Sequence, residues 1–293
     1  PAFFLVGKKD AKFTYINEVG EDLYFYGAPP FTTNILKLPF FAIRFAFSAL
    51  RARRLMRKLG INTVIGMGGY VSAPALFAAR VAKIPYDLCE QNSVPGKVTR
   101  FFSKHAHSIF STFEITRNFL KYTPGFMHVG NPIRRGVFAN SGRDRAREHY
   151  NLKHCDAVVL AIGGSQGALR INELMMGVKS MYSREFKNIG IIWSTGALSF
   201  EEYKKRVHER VDAGSVFLSP FISEVGLAYS ACDIAVSRSG AGVMMELAAM
   251  GVPSILIPYP YAADDHQTLN AREFHDMGAA IMVANEDAVP EKV

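Results

Sequence analysis

The sequence is short of the features that mark the commonest ligand chemistries. Cys89, Cys155 and Cys232 are its only three cysteines, and none forms a C-x-x-C pair or a metal-ligand spacing. That excludes a disulfide framework or a zinc ribbon and points to a reducing cytoplasm. Cys89 and Cys232 border apolar strands, where a buried structural thiol is expected rather than a catalytic one. No Gly-x-x-x-x-Gly-Lys-Ser/Thr run occurs, which removes an ordinary phosphate-loop NTPase. No glycine loop has the full G-x-G-x-x-G spacing, which argues against a standard nicotinamide or flavin site. Two aspartates one residue apart, able to hold a divalent ion beside a diphosphate, are absent near any strand end. Asp264 and Asp265 are adjacent and read as a solvated loop pair, so neither a protein-held metal nor another cofactor is expected. Charges interrupt every apolar run before the ~20 residues that cross a bilayer. There is no internal repeat and no low-complexity segment. The chain begins at Pro1 and runs straight into FFLVG, so a fragment missing its amino end is expected.

What is present has the size of two cores: 293 residues, 49% of them apolar. Charge divides unevenly. Residues 1–135 hold 19 Lys and Arg against 7 Asp and Glu, a balance of +12, whereas residues 136–293 hold 15 against 19, a balance of −4. Such asymmetry predicts a polyanionic partner for the first half, either nucleic acid or an anionic membrane. The stretch Leu38 to Leu59 favours the membrane. With Pro39 suited to a first turn and no glycine until Gly60, it predicts one long helix. Lys37, Arg44, Arg51 and Lys58 recur every seven residues and so run along one side. Phe40, Phe41, Ile43, Phe45 and Phe47 exceed the needs of a single core stripe. Residues 37–58 are therefore expected at a membrane interface, with a buried helix carrying a solvated basic edge as the alternative. No reading motif accompanies the charges, so nucleic acid is not expected.

Strands and helices alternate through both halves, which predicts an α/β protein of parallel sheets wrapped by helices, joined by the polar residues 136–150. Three strand-to-helix turns are glycine-rich. The first carries Gly66, Gly68 and Gly69, followed by Tyr70. The second, in AVVLAIGGSQGALRINEL, carries Gly163, Gly164 and Gly167, with Ser165 able to donate its hydroxyl to a phosphate at a helix start. The third opens residues 237–271, SRSGAGVMMELAAMGVPSILIPYPYAADDHQTLNA, which read as strand, glycine loop, helix, proline-marked strand and polar loop. Ser239, Gly240 and Gly242 lie in that loop, where the missing Cβ atoms would let backbone N–H groups reach an anion. Glu246, one turn into the helix, is suited to a ribose diol. The plainer readings are an ordinary βα turn and a solvated carboxylate.

Taken together, GMGGYVSAP (66–74), EQNSVPGK (90–97), GNPIR (130–134), GGSQGA (163–168) and the 237–271 stretch resemble the MurG family of peptidoglycan glycosyltransferases. The resemblance implies a GT-B fold, two Rossmann-like parallel-sheet domains facing a cleft. Residues 1–135 would be the acceptor and membrane-side domain and residues 151–293 the UDP-sugar domain, both shortened at their outer ends. It implies inverting transfer of N-acetylglucosamine from UDP-N-acetylglucosamine to an undecaprenyl-diphospho-muramoyl-pentapeptide lipid, by a peripheral protein on the cytoplasmic face of the bacterial plasma membrane. Ser165 would touch the diphosphate, with Gly164 beside it. Ile222 would meet the uracil, Ala241, Gly242, Val243, Met244, Met245 and Glu246 would cradle the nucleotide, and Gln267, helped by His266, would hold the sugar. Asn92 and Arg134 would come from the other domain, Arg134 as a cation near the diphosphate. The family's suspected catalytic histidine lies upstream of Pro1, and Cys89 stands where many relatives have histidine. Glu90 is then the fallback base, and this chain by itself is expected to be inactive. Two alternatives are a UDP-sugar epimerase of the same fold and a non-catalytic nucleotide-sugar-binding membrane subunit.

Overall fold

The computed structural model describes residues 1–8, 22–121, 125–138, 142–164, 167–181, 188–210 and 215–293. The chain divides into two compact units, Pro1–Gly130 and Asn131–Val293.

In the N-terminal unit, β1 (Phe4–Gly7) and β2 (Leu23–Tyr26) pair in parallel. Helix α1 (Leu38–Lys58) leads into a four-stranded parallel sheet of β3 (Val64–Gly66), β4 (Tyr86–Glu90), β5 (Ser108–Ser111) and β6 (Phe126–His128). Helices α2 (Gly69–Val81) and α3 (Lys97–Phe102) follow β3 and β4. Helix α1 occupies the expected span and packs on α2. Ser48, Ala49, Ala52 and Met56 form its buried face, where small side chains permit close approach. Phe41, Phe45 and Phe77 continue the contact as a chain of rings. The opposite face does not pack: Phe40 is 63% and Phe47 64% exposed, with Ile43 and Leu50 also open. At 100° per residue these four share one side, and Arg51, Arg54, Arg57 and Lys58, all exposed, follow toward the C-terminus. Lys37 departs from the expected row, since it closes a short 3-10 turn ahead of the helix. Among the described residues no helix is long and apolar enough to cross a membrane.

The C-terminal unit begins with a 3-10 turn, Arg135–Phe138, and α4 (Arg143–His149). Within the expected linker 136–150, the described residues 136–138 and 142–150 carry these elements and fall in this unit. The polar composition there hides a helix with one buried side, Ala146 and Arg147. Then come β7 (Ala157–Ile162), α5 (Leu169–Met181), β8 (Ile189–Ser194), α6 (Phe200–Arg210), β9 (Val216–Ser219), α7 (Val225–Ala231), β10 (Ile234–Ser237), α8 (Ala241–Ala249), β11 (Ser254–Leu256), α9 (His266–Asp276) and β12 (Ala280–Met282). Six parallel strands run in the order β12-β11-β10-β7-β8-β9. The central strands are apolar because helices cover both faces; Val158, Leu160, Ala161, Ile191, Ile192 and Trp193 are buried.

Counted from the first strand of this unit, that order is 6-5-4-1-2-3, the doubly wound Rossmann arrangement. It reverses between β7 and β10, where an open α/β sheet leaves a crevice at the carboxyl ends of the strands. Ile162 and Ser237, the last residues of the two strands, are partners in register. The loops leaving that point are the two glycine loops, Gly163–Ala168 and Arg238–Gly240.

Candidate nucleotide-binding site

The two loops at the switch point use glycine for different reasons. A Cβ on Gly163 would fall 2.3 Å from the Ala168 nitrogen, and one on Gly167, whose φ is +78°, would fall 2.2 Å from the Thr195 carbonyl oxygen. The fold itself requires both. Gly240 has an ordinary φ of −70°, and a Cβ there or on Gly242 would meet nothing within 4 Å. Packing does not ask for those two glycines, which leaves open approach to the start of α8 as what they provide. Gly164 has φ +83°, a backbone state that glycine tolerates. Ser165 lies outside the described residues.

At the start of α8 the first intrahelical amide bond runs from Met244 N to the Gly240 carbonyl at 3.1 Å. The N–H groups of Ala241, Gly242 and Val243 precede it and have no acceptor within the helix. Ala241 and Met244 are buried, so their side chains face the interior. Among residues 241–246, the groups that can reach a ligand are the backbone of 241–243 and the side chains of Val243, Met245 and Glu246, which are partly exposed.

Glu246 is not a solvated carboxylate; its side chain is 13% exposed. Arg134 donates to Oε1 from Nε at 3.3 Å and Nη2 at 3.1 Å, and Tyr229 donates its hydroxyl to Oε2 at 2.8 Å. Arg134 therefore belongs to the C-terminal unit, not to the other domain as the sequence reading had it, and its partner here is Glu246.

Ser239 and Gln267 are tied to each other. The fully buried Ser239 hydroxyl donates to the Gln267 carbonyl at 2.8 Å, and Asn270 Nδ2 donates to the Ser239 carbonyl at 3.1 Å. Ser239 is thus a pin between loop and helix rather than a free donor to a ligand. Gln267 stands in the first turn of α9, because the expected polar loop ends at Asp264 and Asp265, with φ of +52° and +51°, and a helix follows. Its Oε1 accepts the Tyr259 N–H at 3.0 Å, which orients the amide. His266 Nδ1 lies 2.7 Å from the Ala263 carbonyl oxygen. Ile222 is buried in the core with Val225 and Ala228, so any contact with a base comes from its backbone.

Arg238, which no sequence motif singles out, is the brace of this end of the sheet. Its Nη1 donates to the carbonyls of Ile257 and Pro258 at 3.1 and 2.9 Å and to Asn285 Oδ1 at 2.8 Å. Burial pushes its pKa below the usual value. The only local signal was a charged residue directly after an apolar strand.

In the N-terminal unit, Glu90 is buried, and its carboxylate holds the loop after β4. Oε1 accepts the Asn92 N–H at 3.2 Å, and Oε2 accepts the Gly96 N–H at 3.0 Å and the Thr99 hydroxyl at 2.6 Å. The carboxylate thus braces the start of α3. The Asn92 carbonyl accepts the Thr116 hydroxyl at 3.1 Å. Tyr70 stands in the first turn of α2, partly exposed, and Gly68 caps that helix with φ +79°. The Cys89 thiol is half-buried, and burial and then Asp87 raise its pKa. Cys155 and Cys232 are buried, and all three cysteines are free.

The family model for the glycosyltransferase family 28 C-terminal domain matches residues 158–293, and that for the family 28 N-terminal domain matches residues 14–111. Among curated proteins, the chain is 38% identical over 226 residues to the UDP-N-acetylglucosamine--N-acetylmuramyl-(pentapeptide) pyrophosphoryl-undecaprenol N-acetylglucosamine transferase of Aquifex aeolicus, covering 77% of this chain and 62% of that protein. It is 36% identical over 256 residues to the protein of the same name from Shewanella amazonensis, covering 87% and 67%. The chain thus spans about two thirds or less of these relatives. Among solved structures, Acinetobacter baumannii MurG superposes with a TM-score of 0.72 at 26% identity, covering 99% of this chain and 79% of that one. A UDP-N-acetylglucosamine 2-epimerase superposes at 0.66 with 12% identity, a likeness of fold alone.

Proposed function

Because the chain belongs to the MurG family of family 28 glycosyltransferases, we propose that it takes part in moving N-acetylglucosamine from UDP-N-acetylglucosamine to an undecaprenyl-diphospho-muramoyl-pentapeptide lipid, a step of bacterial cell-wall synthesis. The observation that carries the donor half of this reading is the pair of loops at the β7/β10 reversal, with the open amide groups of α8 and the carboxylate of Glu246 one turn further on. The amides and the helix dipole would hold the diphosphate. Glu246 would accept the ribose hydroxyls, and the amide of Gln267, already oriented by Tyr259, would meet the sugar. Ser165 would add a hydroxyl to the diphosphate.

Transfer with inversion needs an acceptor hydroxyl to attack the anomeric carbon as UDP departs through an oxocarbenium-like state. Negative charge then grows on the departing diphosphate. Arg134 and the start of α8 would stabilise it there, with no protein-held metal in the scheme. With Glu90 committed to the loop after β4, the base is assigned to no described residue. The epimerase reading keeps only the shared fold, and a non-catalytic subunit would bind UDP without turnover.

The test is acceptor-dependent release of UDP, measured with the chain and with a full-length relative carrying the same substitutions. Glu246→Ala is expected to weaken UDP binding by about 1–3 kcal/mol, the worth of hydrogen bonds to a buried charge. Unchanged affinity would remove Glu246 from the ribose, and conversion of the UDP-sugar to its epimer without acceptor would favour an epimerase.

The lipid acceptor implies a membrane, and α1 supports peripheral docking on an anionic cytoplasmic leaflet. Its unpacked face offers Phe40, Ile43, Phe47 and Leu50 to the acyl boundary, with basic side chains following toward the headgroups. Arg51→Ala combined with Lys58→Ala should weaken co-sedimentation with phosphatidylglycerol vesicles by about 2 kcal/mol, roughly 1 per basic residue. Equal sedimentation of the double variant would exclude this helix as the docking element.

A further inference from the structure

Three elements converge on the Glu246 carboxylate, and they hold it in different ways. Arg134 reaches Oε1 with a side chain that is 66% exposed, so its grip is screened by solvent and exchangeable. Tyr229 reaches Oε2 from α7 and is 2% exposed. Its ring is clamped in the core with Val252, Leu247 and Ala228, so the hydroxyl has a fixed position. Helix α7 is itself seated tightly: a Cβ on Gly226, one turn before Tyr229, would lie 2.4 Å from the Gly136 carbonyl oxygen. The segment carrying Arg134 and the helix carrying Tyr229 are therefore packed as one body. Burial, followed by the neighbouring carboxylate, drives the Tyr229 pKa upward, so the phenol stays a donor.

A carboxylate has about four acceptor positions. Tyr229 takes one on Oε2, and Arg134 occupies Oε1. The carboxylate plane is set by the buried partner: one acceptor position stays open on Oε2, and the solvent-screened Arg134, which makes both bonds to Oε1, can yield a position there to the second of two adjacent hydroxyls. We infer that Tyr229 is a positioning residue for nucleotide recognition: by locking Glu246 through Oε2 it makes the carboxylate selective for the 2′,3′-diol of a ribonucleotide. This rests on the donor site proposed above and adds its selectivity. Tyr229 touches no substrate and acts only through Glu246.

The experiment compares binding of UDP and 2′-deoxy-UDP by titration calorimetry in the wild-type chain and in Tyr229→Phe, which keeps the ring and its packing. Wild type should prefer UDP by about tenfold, and Tyr229→Phe should lose most of that preference, since one hydrogen bond to a charged group is worth about that factor. The ratio of the two dissociation constants does not depend on how much of the variant is folded, so a purely structural role leaves it unchanged. A variant that binds both ligands more weakly but keeps the wild-type ratio overturns the inference while leaving the donor site standing. A wild type that binds UDP without preferring it, or binds neither ligand, overturns the ribose contact and this inference with it.

Discussion

Replacing Asp233 by alanine is expected to destabilise the C-terminal unit by about 2–4 kcal/mol, because it takes a carboxylate that is itself 31% exposed from a buried guanidinium and leaves that charge without its ion-pair partner. Asp233 immediately precedes β10, at the end of the β7/β10 pair opposite the glycine loops. Its Oδ2 accepts Arg147 Nη2 at 2.6 Å and the Val158 N–H at 2.6 Å, while Oδ1 takes Arg143. Arg147 is buried, and its other donors go to the carbonyls of Ala231 and Cys155, both at 3.1 Å. Burial, then the charge of Arg143, already lowers its pKa. Without Asp233 a guanidinium stays in the core with carbonyls alone, and the amide that opens β7 loses its acceptor. Arg143 is half exposed and adds little. At 2–4 °C per kcal/mol for a unit of this size, the melting temperature should fall by about 10 °C. Thermal unfolding followed by circular dichroism measures it. A shift under about 2 °C would mean that solvent rehydrates Arg147 at small cost.

Glu90→Ala should cost the N-terminal unit about 3–4 kcal/mol, since it leaves the Asn92 and Gly96 amides and the Thr99 hydroxyl without their acceptor at a buried position. Glu90→Gln separates a brace from a base. An amide still accepts at one oxygen and so keeps part of the loop. If Glu90 only braces, the matching glutamine variant of a full-length relative transfers sugar within a few-fold of that relative's wild type. A general base would lose about 10²–10⁴-fold in rate on the same change. Urea unfolding and single-turnover transfer, run side by side, give the two readouts, and stable protein with abolished transfer would return Glu90 to the catalytic role.

The elements most readable in the chain were those whose cause lies within a few residues. Pro39 and the run without glycine gave the limits of α1, and the Val and Ile runs gave β7 and β8. The motifs GGSQGA and SRSGAG marked both loops at the sheet reversal, because a strand, a glycine and a helix start are written consecutively. β2 and β12 escaped notice, being only 4 and 3 residues long and lacking a pattern of their own. Helix α9 hides behind two left-handed aspartates, whose polar sequence predicts loop where its first turn stands. The linker over 136–150 looked polar because a single side of α4 is buried.

The partners of the charged groups are not legible in the sequence. The motif that holds Glu90 does not show that its carboxylate accepts the Thr99 hydroxyl, nine residues on. Arg134 was assigned to the wrong half, although its partner Glu246 is 112 residues away in the unit that it helps to build. Asp233 and Tyr229 stand in no motif, and their partners Arg147 and Glu246 lie 86 and 17 residues away.

The sequence by itself determined the α/β alternation, the two glycine loops, the amphipathic helix at 38–58 and, through its motifs, the family. Backbone preference and hydrophobic period act over a few residues, so they can be read from a few residues. Only the tertiary structure decided what each buried charge is for. The cost of desolvating a carboxylate or a guanidinium is met by whichever donors or acceptors the fold brings to it, and here those lie from two to 112 positions away.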